Sequence, residues 1–319
     1  MRKAGGRVRI TAQLIDALTG THLWADRFDG SLEDVFELQD KVAISVAGVI
    51  EPALQAAEIG RSAARPTNDS TAYDLYLRAY AIVFASAIQI PEALRLLERA
   101  LARDPSYGPA LAWGAVCLSR LCHDAISEAP EADARKGVDF GKRALQVAGE
   151  DPVTLANAAF ALAYFGEDID TMMTLVARAL ALNPSFARGW HISGRLRWWA
   201  GHPEAAIEHI ETSLRLSPRA QVGNNFAVLG GAYFVTRRFD LAVPKLRVAI
   251  QEHPDFPTPY RYLAACYAHM GELDEARGII TRLSALTPVV VVRDADYLRN
   301  PEHRELFLSG LRLAAGGAE

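Results

Sequence analysis

The sequence predicts a mainly α-helical solenoid of about six helix pairs, preceded by a partial α/β segment made of a β-hairpin and a helix. Three observations predict it. Proline returns at a near-constant interval: Pro184, Pro218, Pro254 and Pro288 are 34, 36 and 34 residues apart, and Pro105 and Pro152 extend the series upstream. Between the prolines, apolar residues recur at helical spacing. Before residue 60 the period changes to two: Val8, Ile10, Ala12 and Leu14 alternate with Arg7, Arg9, Thr11 and Gln13. A fixed period of a few tens of residues marks a chain of stacked supersecondary units; a period of two marks a half-buried strand.

The first element is the strand over Val8–Leu14. Thr19-Gly20 marks a turn, and His22–Phe28 reads as the second strand. Ser31 is placed to cap a helix whose first turn carries Glu33 and Asp34, favourable at the positive end of the helix dipole. Val35, Leu38, Val42, Val46 and Val49 form its apolar face, Pro52 ends or kinks it, and Gly60–Ser70 reads as a linker. A two-stranded hairpin is marginal alone in water, and its open edges invite pairing with another chain. Residues 1–64 are therefore expected to be the tail end of an α/β domain plus linker, 65–290 the repeat array, and 291–319 a C-terminal capping helix. The expected consequences are self-association through the strands and a beginning that lies upstream.

Each repeat unit reads as two antiparallel helices. One runs Phe226-x2-Leu229-Gly230-x2-Tyr233, then Ala242-x3-Leu246, then Pro254; the next runs Tyr260-x2-Leu263-Ala264-x2-Tyr267, Ala276-x3-Ile280, Pro288. Trp190-x2-Ser193-Gly194-x2-Arg197 with Ala206-x3-Ile210, and Leu77-x2-Tyr80-Ala81-x2-Phe84 with Ala93-x3-Leu97, follow the same register. Small residues fall where the two helices must approach closely. Gly201 and Gly271 fall between the helices, where a turn needs backbone freedom. Each terminal proline cannot continue the helix it follows. Six units are expected, starting near residues 74, 108, 155, 187, 223 and 257. This pattern resembles the tetratricopeptide repeat, which implies a right-handed α-solenoid whose first helices line a concave groove.

The stretch Arg7–Gly30 resembles the second half of the TolB amino-terminal-like domain. In bacteria that domain often sits between an output domain and a tetratricopeptide array. The resemblance implies a regulatory setting, with a class III nucleotide cyclase or a winged-helix domain as the upstream output. It implies no catalysis in these residues, because no cyclase motif lies among them.

The composition excludes several classes. Half of the residues are hydrophobic, 23% are charged and the formal net charge is −4, so neither disorder nor general nucleic-acid binding is expected. No run of about 18 apolar residues is present, and the start lacks a secretory core. Three cysteines without framework spacing fit a reducing cytoplasm. Cys117, Cys122 and His123 lack the second ligand pair that zinc needs and are expected to pack as apolar residues. His202 and His209 with Glu204 and Glu208 do not form His-Glu-x-x-His and are expected on a solvated face. No Gly-rich phosphate loop and no Gly-x-Ser-x-Gly occurs. No catalytic residue, cofactor or metal is expected.

The candidate site is the concave groove. Arg188, His191, Arg195 and Trp198, with Trp199, follow roughly helical spacing on one helix. By the resemblance, Arg78, Arg120, Asn224, Phe234, Arg261 and His269 take similar groove-facing positions in the other units. Arginine and tryptophan are favoured interface anchors, and arginine grips carboxylates with paired hydrogen bonds. The expected partner is a protein or peptide with acidic or aromatic character. The Lys/Asn clamp that some members of this family use for chaperone tails does not appear.

Overall fold

The computed structural model describes residues 2–4, 7–15, 20, 22–31, 42, 46, 71–218, 222–292 and 294–317. The N-terminal strands are β1 (Arg2–Ala4), β2 (Arg7–Ile15) and β3 (His22–Ser31), an antiparallel sheet in the order β1-β2-β3. The hairpin β2–β3 lies where the alternation places it, and β1 adds a third strand that the sequence did not signal. Val8 faces Gly30, Arg9 faces Asp29 and Ile10 faces Phe28. Val8 and Phe28 are buried, with Ile10, Ala12 and Val42 packed against them. Arg9 Nε donates to Asp29 Oδ1 at 2.5 Å on the solvent face. Apart from Val42 and Val46, which are helical, the expected helix and the linker lie outside the described residues.

Thirteen helices follow among the described residues, and twelve of them form six pairs. The pairs are α1 (Ala72–Ala85) with α2 (Ile90–Arg103), α3 (Gly108–His123) with α4 (Pro130–Ala148), and α5 (Pro152–Tyr164) with α6 (Ile169–Leu182). Then come α7 (Ala187–Ala200) with α8 (Pro203–Leu216), α9 (Val222–Val235) with α10 (Phe239–Glu252), and α11 (Pro257–His269) with α12 (Leu273–Ser284). The last helix is α13 (Pro301–Ala314). The expected repeat starts fall within three residues of the observed helix starts.

The local chemistry explains the boundaries. At the head of α1, Thr71 and Asp74 form a reciprocal capping box: Asp74 N donates to Thr71 Oγ1 at 3.1 Å and Thr71 N to Asp74 Oδ2 at 2.9 Å. Asp151, Asp168 and Asn300 cap α5, α6 and α13 with side-chain oxygens. Pro105, Pro184, Pro218 and Pro254 sit in the turns after second helices. Pro152 does not: it is the first residue of α5, where a missing N–H costs nothing. That difference accounts for the short gap after it, and the longer helices and connection of the second pair account for the long gap before it. Trp190 Nε1 and Tyr260 OH each donate to the carbonyl of the proline six residues earlier, at 2.8 and 2.9 Å. The large residue at the start of these units therefore ties the turn down.

Helix pairs meet at the small residues. A Cβ on Gly230 would lie 2.5 Å from Leu246, and one on Gly194 would lie 2.8 Å from Ile210. One continuous apolar core runs through the array. Gly201 and Gly271 have the left-handed φ expected of them, +94° and +82°. Ala125 and Arg237 hold φ of +58° at the corresponding turns of the second and fifth pairs.

The concave side closes on itself. Ser86 Oγ and Ala87 N, in the α1–α2 turn, donate to Asp255 Oδ2 in the α10–α11 turn at 2.7 and 2.8 Å. The segment between α12 and α13 returns through the interior. There Arg299 N donates to Trp199 O at 2.7 Å and Arg299 Nη2 to Ala163 O at 2.6 Å. Helix α13 then packs on α11, with Phe307 stacked on Tyr262 at 4.3 Å between ring centroids.

Candidate functional site

Helix α7 places Arg188, His191, Arg195 and Trp199 on its concave face. Helix α3 brings Trp113, Arg120 and His123, with Asp124 at its end, and α9 brings Asn224. Together with Phe84, Phe160, Tyr164 and Phe256 they enclose a chamber of about 50 Å³. Five of the sequence-predicted groove residues meet there: Arg120, Arg188, His191, Arg195 and Asn224.

Each arginine is aimed by a neighbour. Arg188 donates from Nε and Nη2 to Asn157 Oδ1 at 3.0 and 2.7 Å, and its guanidinium lies 4.4 Å from the Trp113 ring centroid. Arg120 donates to Val83 O at 2.7 Å and lies 5.8 Å from the Phe256 ring. Arg195 lies 5.4 Å from the Phe160 ring, and its buried Nε has no hydrogen-bond partner among the described residues. Burial pulls the pKa of Arg188 down to about 10 and that of Arg195 down to about 9, the cost of holding cations away from water.

The remaining titratable groups add little positive charge. Burial, helped by neighbouring arginines, pushes His123 down to about 3 and holds His191 well below the usual histidine range. Both rings are neutral at pH 7. His191 Nδ1 pairs with Asn225 Oδ1 at 2.9 Å. Asp124 is pushed up by burial, against the pull of Arg120, Arg261 and Arg195. Burial raises the Cys117 thiol to about 12, so it is no nucleophile at neutral pH. Among the described residues the lining gathers three guanidinium groups and one carboxyl group.

The other predicted residues are placed differently. Arg78 is half-buried on α1, away from the chamber lining. Trp198, Phe234 and Arg261 are buried and committed to the fold. Trp198 meets Gly231 and the Tyr262 ring. Phe234 packs among Phe239, Tyr262 and Phe307. Arg261 donates to Val289 O at 2.8 Å, and at longer range to the carbonyls of His123 and Asp124. His269 Nε2 pairs with Leu306 O at 2.8 Å. Phe234, Arg261 and His269 contact α13 or the returning segment, whereas Trp198 packs within the array. The open polar groove expected from the sequence is narrowed, because the chain fills part of it with its own C-terminal segment. His209 is also not a solvated surface group: its ring packs 4.9 Å from Trp190.

Helical phase separates the two tryptophans: Trp199, four residues after Arg195, shares its face, whereas Trp198 points into the neighbouring pair. Trp113, Phe160 and Asp124 had no comparable signal, since their place depends on how the superhelix curls.

The tetratricopeptide repeat family model matches residues 236–292, the turn before α10 through the end of the sixth pair. The helical array has the fold of a tetratricopeptide repeat solenoid. Over 166 residues the chain is 34% identical to "Putative adenylate cyclase 3" of Rhizobium meliloti (strain 1021); the match covers 51% of this chain and 28% of that protein. The tetratricopeptide fold is shared with a human IFIT1 dimer with m7Gppp-AAAA, at TM-score 0.58 and 16% identity, covering 69% of this chain and 51% of that one. It is also shared with the Cut9–Hcn1 hetero-tetramer of APC/C, at TM-score 0.53 and 18% identity, covering 84% and 49%. This chain thus spans about a quarter of its curated relative and about half of each of these structures. Among the described residues no helix is long and apolar enough to cross a membrane, and no cluster of His, Cys, Asp and Glu could hold a metal ion.

Proposed function

We propose that this chain is the non-catalytic regulatory part of a cytoplasmic, nucleotide-cyclase-type protein, and that its repeat array binds a protein or peptide partner through an acidic group. The observation that carries this reading is the convergence of Arg120, Arg188 and Arg195 on one concave chamber, where Asp124 is the one carboxyl group among the described lining residues. Guanidinium groups in a low-dielectric wall favour an anionic guest. The cyclase setting rests on the name of the relative matched over part of its length. The strand segment 1–64 and the outer strands β1 and β3 fit a second role in joining this array to another domain or to a second copy, since an unpaired strand edge accepts a further strand.

Capture of partners from the native cytoplasm tests it, comparing the chain with an Arg188→Glu/Arg195→Glu variant whose helicity is checked first. The reading expects a partner that the wild type retains and the folded variant loses. Equal retention by both would move the binding surface away from the concave side.

A further inference from the structure

We propose that the contact between Ser86 and Asp255 is a latch on the concave side, in which Asp255 occupies the place on the α1–α2 turn that the acidic group of a partner takes on entry. The inference names a regulation of the binding site proposed above, and rests on that reading. Three observations support it.

The first is the chemistry of the contact. Ser86 Oγ and Ala87 N both donate to one oxygen, Asp255 Oδ2, at 2.7 and 2.8 Å. Burial works to raise the pKa of the Asp255 carboxyl, but the bonds from Ser86 and the Ala87 amide outweigh it and hold the group below its usual range. Asp255 is therefore a carboxylate at neutral pH. Hydrogen bonds to an ionised acceptor are the strong ones. The same two donors suit a carboxylate from another chain.

The second is what the latch joins. It ties the turn of the first pair to the turn between the fifth and sixth pairs, 169 residues later. Among the described residues, the helices of the first pair share no extended packing with those of the fifth or sixth. The other polar link nearby is Arg120, which donates to Val83 O at 2.7 Å and lies 5.8 Å from the Phe256 ring. Ser86 and Asp255 are both half-buried. A junction held by a few polar contacts within reach of water opens at lower cost than the apolar core of a repeat.

The third is position. Ser86, Ala87, His253 and Asp255 border a depression, and Arg120, Asn224 and Phe256 line both that depression and the chamber. The latch thus lies beside an approach to the arginines. An acidic group on this path meets the Asp255 carboxylate before it reaches the chamber. Two carboxylates sharing one site disfavour each other's charge. The newcomer is excluded, or Asp255 gives up its bonds to Ser86 and Ala87. Exchange of one carboxylate for the other keeps both hydrogen bonds and releases the first pair from the fifth.

Asp255→Ala and Asp255→Asn in the full chain test the proposal. The probe is a tri-glutamate peptide, with tri-glutamine as the neutral control, at neutral pH and constant ionic strength. Circular dichroism checks that each variant keeps its helices, hydrogen exchange reads the Ala87 amide, and calorimetry reads the peptide. Asp255→Ala is expected to speed exchange at Ala87 and to tighten tri-glutamate binding, each by about tenfold or more. Asp255→Asn, which keeps an acceptor of the same shape without the charge, is expected to move both in the same direction by less. Adding Arg195→Met to Asp255→Ala is expected to remove the gain. Unchanged Ala87 exchange in both Asp255 variants would overturn the latch. So would equal tri-glutamate affinity in wild type and variants, no binding by any of them, or an equal gain for tri-glutamine. Tri-glutamate binding that depends on Arg195 but not on Asp255 would sink only the latch. Binding indifferent to Arg195 would sink the broader reading.

Discussion

At Gly230 the array has no room for a single added carbon. A Cβ there would sit 2.5 Å from two atoms of Leu246, so Gly230→Leu is expected to cost roughly 1–3 kcal/mol through overpacking, read as a fall in melting temperature. An unchanged melt would reject this helix contact. The inverse case is Arg237, an exposed residue at φ +58° in the turn between α9 and α10. Glycine at the matching turns carries no such strain, so Arg237→Gly is expected to stabilise the chain by about 1 kcal/mol in a chemical denaturation series. The close-approach glycines were legible in the sequence because the repeat register assigns them a role. The strained turns at Ala125 and Arg237 were not, because nothing in their side chains announces a left-handed backbone.

At the level of elements, α13 and the segment before it decide what the concave side can be. Phe307 is buried against Tyr262 and Phe234. Phe307→Ala is expected to cost about 3–5 kcal/mol and to loosen α11 as well as α13, which hydrogen exchange of α11 amides would report. A loss confined to α13 would show that it caps the array without bracing it. The helix pairs themselves were readable, since apolar period, small residues and turn glycines agreed. The path of residues 285–300 was not. Tyr297 packs on His123 and Trp199, residues almost 100 or more positions away, and no local pattern encodes such a contact. Three groove candidates, Phe234, Arg261 and His269, were misread as partner-facing for that reason, since the chain itself covers them. Trp198 was misread by helical phase, because it points into the neighbouring pair.

For the whole molecule, closure of the superhelix creates both the chamber and its electrostatic cost. His123 is held neutral with a pKa of about 3, against about 6.5 in an unfolded chain. Between these values the unfolded chain binds more protons, so His123 makes stability fall as pH drops from about 6.5 toward 3. His191 acts in the same direction and Asp124, raised by burial, in the opposite one. The expected outcome is a melting temperature that falls between pH 7 and 4, with a shallower slope in His123→Phe. An unchanged slope in that variant would place the pH dependence elsewhere.

The central claim is that contacts between distant turns narrow the concave side of the array. Its most direct test is amide hydrogen exchange at Ala87 and Arg299, whose N–H groups donate to Asp255 Oδ2 and Trp199 O across 168 and 100 residues of sequence. These contacts across the concave side predict protection at both turn amides comparable to that of the helix interiors. Exchange at the rate of exposed loops would mean that the first and last repeats stand apart in solution, and that the concave side is open.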